Sequence, residues 1–65
     1  MFADCIVPLP LEGMFTYNVP THLSQKVQVG CRVNVPFGHK KQYAALVARV
    51  HEEQPACQTK DILAV

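Results

Sequence analysis

Apolar and polar residues alternate most cleanly between positions 27 and 37. Val27, Val29, Cys31, Val33, Val35 and Phe37 are all odd-numbered, with Gln28, Gly30, Arg32, Asn34 and Pro36 between them. Successive side chains of a strand point to opposite faces, so this run predicts a strand with one buried face. Gly30 inside it predicts a bulge or bend and moves the effective start to near Cys31. Pro36 has no backbone donor and marks an edge or the strand's end. A second alternation covers residues 42–51, where Tyr43, Ala45, Val47, Arg49 and His51 interleave with Ala44, Leu46, Ala48 and Val50. The second set is wholly apolar and is expected to face the core. The alanines make a helix the rival reading. The β-branched residues and the hairpin-length connection before them favour a strand.

The remaining segments are shorter. Residues 3–7 predict a strand that stops at Pro8, and Pro8-Leu9-Pro10-Leu11 is extended but unfit for a central strand. Glu12-Gly13 signals a turn. Residues 14–19 predict a second strand, with Phe15, Tyr17 and Val19 on one face and Met14, Thr16 and Asn18 on the other. Pro20 ends it. Residues 21–26 are the one helix-like patch, with Thr21 as a possible cap of a turn or two. Residues 52–59 form a loop around Pro55, and residues 60–65 open a fifth strand. The sequence stops within that apolar run, so it is expected to be a domain of a longer protein, with its boundary inside a strand. Five short strands punctuated by turns predict a mainly β fold, a small open barrel of the oligonucleotide-binding (OB) kind with one helical turn.

With 65 residues, one domain is the limit, and a chain of this size buries only about 60% of its unfolded surface. The apolar share of 49% supports a real core. The charged share of 17% excludes a charged disordered tail, and the net charge of +1 projects no strong field toward nucleic acid or membrane. Any nucleic-acid role must rest on local contacts. No apolar run approaches the roughly 18 residues of a membrane span, no secretory signal is visible, and no membrane partner is expected. Cys5, Cys31 and Cys57 are odd in number and form no CxxC pair. That argues against a disulfide framework, makes Cys5 and Cys31 small buried hydrophobes, and suits a cytoplasmic setting.

Catalytic chemistry is not legible. Asp4, Glu12, Glu52, Glu53 and Asp61 form no carboxylate pair, His22, His39 and His51 lack metal-ligand spacing, and Gly38-His39-Lys40-Lys41 lacks the phosphate-loop pattern. The expectation is a domain without enzymatic activity, metal or cofactor of its own. What remains is a binding surface. Phe15 and Tyr17 are a candidate stacking platform for bases, or simply core fillers. Gly38 permits close approach of backbone to a ligand, or makes an ordinary turn. Lys40 and Lys41 are candidate phosphate contacts or a solvated loop, and Lys60 alone carries no signal.

Three blocks taken together are more specific. Val7-Pro8-Leu9-Pro10-Leu11, then Met14-Phe15-Thr16-Tyr17, then Val29-Gly30-Cys31-Arg32-Val33-Asn34-Val35-Pro36-Phe37-Gly38 resembles the N-terminus of the primosomal protein N′ (PriA helicase) family. There a PLP opening leads into a tFdY strand and a G-x-R-V-x-V-P-F-G strand. Lys60-Asp61-Ile62-Leu63-Ala64-Val65 is similar to a later family segment, so the resemblance covers essentially the whole chain.

The resemblance implies a 3′-end DNA-binding domain at the N-terminus of an ATP-dependent DNA helicase that restarts stalled replication forks. The terminal nucleotide would be held by Phe15, Thr16, Tyr17, Gly38 and Lys60. Thr16 departs from the family, which often has an acidic residue there. ATP, magnesium and zinc would belong to the rest of the parent protein. Its other partners would be the remaining helicase domains, single-strand-binding protein and further primosome proteins, in the bacterial cytoplasm. The competing class is a small structural or protein-interaction barrel with no nucleic-acid affinity of its own.

Overall fold

Prolines and glycines set the strand boundaries. In the computed structural model, which describes residues 1–10, 13–38, 40–56 and 58–65, four strands form: β1 (Phe2–Ile6), β2 (Phe15–Asn18), β3 (Arg32–Pro36) and β4 (Gln42–His51). They make one antiparallel sheet in the order β2-β1-β4-β3. Pro8 and Pro20 follow β1 and β2, and β3 starts just after Cys31, beyond a glycine turn in which Gly30 has φ +92°. The short helical patch is a single 3-10 turn, Thr21–Leu23, with Leu23 buried beneath it. Pro20, not Thr21, occupies its cap position, and no side chain caps it. The expected turn at Glu12, and the roles considered for His39 and Cys57, fall outside the described residues.

The inner face of the sheet carries Ala3, Cys5 and Val7 from β1 and beyond, Tyr17 and Val19, Val33 and Val35, and Ala45 and Val47, all buried. Val27 and Ile62 cover it from the loops. The alternation of β3 therefore reads correctly, with Val33 and Val35 inside and Arg32 exposed. The face expected for β4 does not. Leu46 is 44% exposed, whereas Val47 is 1% exposed. The cause is a β-bulge. Asp4 pairs with Arg49 and Cys5 with Val47, so Ala48 is the extra residue. A bulge shifts the period by one. Ala45 and Val47 point inward before it, and Val50 packs against the core after it. Leu46 instead lies opposite Ile6 on the outer face, where both are exposed.

Residues 60–65 do not form a full fifth strand. They make two isolated bridges, a parallel one between Asn18 and Asp61 and an antiparallel one between Asn34 and Ala64. Asn18 ends β2 and Asn34 sits in β3, the two outermost strands. The Asn18 N–H donates to the Lys60 carbonyl at 2.9 Å, and the Asn34 N–H donates to the Ala64 carbonyl at 2.7 Å. The same short segment thus reaches both edges of the sheet, which requires the sheet to curl toward itself. The Tyr17 hydroxyl, donating to the Pro36 carbonyl at 3.0 Å, ties the same two strands directly. The result is a small, partly closed barrel of the OB-like kind, mainly β, with the core enclosed by the curl. Pairing the edges in this way also covers part of the open ladder that would otherwise invite association.

Candidate functional site

The closing seam creates a depression of about 230 Å³ at one end of the barrel. Three stretches distant in sequence line it. β2 contributes Phe15, Thr16 and Tyr17, the end of β3 contributes Pro36, Phe37 and Gly38, and the approach to the closing segment contributes Gln58, Thr59 and Lys60. All five residues singled out by the resemblance, Phe15, Thr16, Tyr17, Gly38 and Lys60, border this one space. Phe37, Gln58 and Thr59 were not singled out. Phe37 was visible as the last apolar position of the β3 alternation, where it counted as core. Gln58 and Thr59 carry no signal beyond their place before Lys60.

The aromatics divide the work. Tyr17 is 5% exposed, so its ring fills the core and its hydroxyl is committed to Pro36. Burial, with a smaller contribution from Cys5, pushes that phenol above its ordinary range. Phe15 and Phe37 are half-buried and meet edge to face, with centroids 5.0 Å apart, and Phe37 meets Tyr43 in the same way at 6.1 Å. This row forms an aromatic rim on the inner side of the sheet. Interlocking rings hold one another at fixed angles, a geometry worth about 0.5–1.5 kcal/mol per pair beyond burial.

Gly38 has φ +67°, a left-handed conformation that glycine adopts without a Cβ penalty. Among the described residues, its chain neighbours aside, a Cβ built there would meet no atom within 4 Å. The demand for glycine in this structure is therefore conformational, and the space above it is open to a ligand. The Gly38 carbonyl accepts a hydrogen bond from Lys60 Nζ at 3.2 Å. That contact draws an ammonium across the mouth of the depression from the opposite wall.

Thr16 has a different environment. It lies on the outer face of β2, opposite Asp4. Its hydroxyl donates to Asp4 Oδ1 at 2.6 Å, so Thr16 offers the depression chiefly its main chain. Asp4 also contacts His51 Nε2 at 2.9 Å and lies 3.9 Å from an Arg49 nitrogen. The Glu53 N–H donates to His51 Nδ1 at 3.2 Å, which leaves Nε2 as the nitrogen that carries the proton toward Asp4. The Thr16 hydrogen bond, helped by His51 and Arg49 and opposed by burial, holds the Asp4 carboxyl below its ordinary range. An acidic residue at position 16 would face this carboxylate directly. Threonine instead supplies a donor.

Cys5 is buried, and burial above all pushes its thiol up to about 11, with smaller contributions from Asp4 and Cys31. It is a packed hydrophobe without thiolate chemistry. Cys31 is half-buried rather than fully enclosed. A larger groove of about 520 Å³ runs over the outer face, lined by Ile6, Pro8, Arg32, Ala44 and Leu46 among others. None of the five expected site residues borders it. Among the described residues, no group of three or more His, Cys, Asp or Glu side chains is placed to hold a metal ion.

A partly closed small barrel with an open aromatic and cationic depression at its seam has the form of a small ligand-binding module. Residues 4–65 match the family described as the 3′ DNA-binding domain (3′BD), and the chain belongs to that family, the DNA 3′-end binding module of PriA. DNA is therefore its partner. The fold and the family agree with the resemblance read from the sequence.

Proposed function

We propose that the seam depression holds the terminal nucleotide of a DNA strand ending in a free 3′ hydroxyl, on behalf of an ATP-dependent helicase that reloads the replication machinery at stalled forks. The observation that carries this reading is the convergence of Phe15, Thr16, Tyr17, Gly38 and Lys60 on one space in a chain of this family. A fork can stop at any base, so the site must ignore base identity. A base set against Phe15 and Phe37 meets that need, because every base has a π-face. Lys60 supplies a cation for the terminal phosphate, and the open backbone at Gly38 lets the sugar approach closely. Main-chain and carbonyl groups at the sugar discriminate a free end from a continuing strand, since polar groups left unpaired on burial cost about 1–3 kcal/mol each. The low net charge suits a domain that selects an end while the rest of the helicase supplies phosphate affinity. In this reading ATP, magnesium and zinc are bound by the remaining domains. Single-strand-binding protein and the primosome proteins engage the parent, which works in the bacterial cytoplasm.

The test is fluorescence anisotropy with 5′-labelled single-stranded oligonucleotides that end in a 3′ hydroxyl or a 3′ phosphate. The hydroxyl form should bind more tightly. Lys60→Ala should weaken binding to all sequences alike and reduce the salt slope by about 0.7, the value for one single-strand phosphate contact. Equal, weak binding of both oligonucleotides would instead favour a structural or protein-interaction barrel.

A further inference from the structure

Lys60 lies on an irregular, exposed segment, yet its backbone is held from one residue. Asn18 closes β2, and its N–H donates to the Lys60 carbonyl at 2.9 Å while its carbonyl accepts the Ile62 N–H at 3.0 Å. Its side chain adds a third bond, Nδ2 donating to Asp61 Oδ1 at 2.9 Å. These bonds bracket positions 60–62 and form the isolated parallel bridge between Asn18 and Asp61. Ile62, 2% exposed, anchors the same stretch in the core. With the backbone so fixed, the Lys60 side chain spans to the Gly38 carbonyl at 3.2 Å.

We infer that Asn18 is a positioning residue for Lys60: through its amide bond to Asp61 it aims the Lys60 ammonium into the depression and holds the neighbouring carboxylate away from it. The main-chain bonds are open to any residue but proline at position 18. The side-chain bond is not, because Asp61 is an acceptor and needs a donor opposite. It also has an electrostatic consequence. Asp61 follows Lys60 directly, and a released carboxylate would compete with DNA phosphate for the ammonium. Bound to Asn18 on the outer side of β2, it cannot. The inference rests on the reading of Lys60 as a DNA contact.

The experiment is a double-mutant cycle, read by anisotropy with a 5′-labelled oligonucleotide bearing a free 3′ hydroxyl, across a salt series. Asn18→Asp sets two carboxylates against each other and should weaken binding about three- to tenfold, the usual range for one lost hydrogen bond. It should also lower the salt slope toward that of Lys60→Ala. Combining Asn18→Asp with Asp61→Asn exchanges donor and acceptor and should restore both readouts. In the Lys60→Ala background, Asn18→Asp should cost nothing further. Wild-type binding by Asn18→Asp, no recovery in the exchanged pair, or an equal loss in the Lys60→Ala background would each overturn the inference. If Lys60→Ala itself leaves binding and slope unchanged, the reading of Lys60 fails first and the positioning role with it. Thermal melts accompany each variant. Should Asn18→Asp fail to fold, Asn18→Ala removes only the donor of an exposed pair, frees the same carboxylate and carries the same expected loss of affinity and salt slope.

Discussion

Deleting a residue from the middle of a strand normally turns every following side chain to the wrong face. Ala48 should be an exception. It is the extra residue of the bulge between the pairs Asp4–Arg49 and Cys5–Val47. Without it the two pairs become consecutive, Val47 and Val50 keep their inward faces, and Arg49 and His51 still meet Asp4. The loss is one half-buried methyl and some local twist, while the ladder becomes regular, so the net change should stay within about 1.5 kcal/mol. Deleting Val50 is the control. It would place His51 opposite Ala3, which is fully buried, and strip Asp4 of its imidazole partner. An unpaired buried polar group, a broken charged hydrogen bond and a lost valine side chain together cost about 4–8 kcal/mol. A domain of this length has about 3–10 kcal/mol in all. Urea denaturation followed by far-ultraviolet circular dichroism separates the cases: deletion of Ala48 should give a cooperative transition near the wild-type midpoint, and deletion of Val50 should move the midpoint far down or abolish the transition. If both deletions unfold the chain, the bulge supplies curvature that closure of the barrel cannot do without, and the account of it as a removable register shift is wrong.

Two further expectations concern the site and its surroundings. Thr16→Val removes the largest influence holding the Asp4 carboxyl low, and should cost about 1.5–3 kcal/mol at pH 7. A depressed folded-state pKa contributes stability that is present above the unfolded value of about 3.9 and is lost as pH falls through the folded one. The gap between wild type and variant should therefore narrow in denaturation curves taken at pH 3, and a gap that stays constant would show that the hydroxyl acts through packing alone. Phe37→Leu keeps apolar bulk at the rim but removes the π-face, so it should lose about 1–3 kcal/mol of oligonucleotide binding, and a lower melting temperature should accompany that loss because Phe37 makes both edge-to-face pairs; unchanged affinity would place the base elsewhere.

The sequence disclosed most where one physical pattern acts alone. β3 alternates without interruption, and its inward valines follow from period two. β4 alternates just as plainly, but each of its two sets contains apolar residues, so the pattern could not say which was inside. Counting apolar residues chose the wrong face before the bulge, because the outer face carries its own apolar pair, Ile6 and Leu46, and the right one only at Val50 beyond it. Resolving it required the pairing with β1, where Asp4 needs Arg49 and His51 on its own side. The bulge at Ala48 is invisible locally, since it is defined by what lies across the ladder and not by the residue itself. The fifth strand was overread for a related reason. A segment that ends in Ile62-Leu63-Ala64-Val65 has strand composition whether it pairs along its length or, as here, bridges two edges at single points.

The site lies further from local pattern still. Phe37 reads as a core position and Phe15 as either core or stacking platform, and both are half in the core; what makes them a rim is that the barrel opens beside them. Lys60 is an ordinary surface lysine until the curl of the sheet brings the ends of β2 and β3 to the same segment. Only the family blocks joined Phe15, Gly38 and Lys60 beforehand, because family resemblance carries tertiary information that periodicity does not. The structure supplies the physical link: the hydrogen bonds that close the barrel at Asn18 and Asn34 also set Lys60 across from Gly38. Closure and site formation are thus one event in this fold. Changes that loosen the seam should therefore be felt at the depression before they are felt in the buried core around Val35 and Val47.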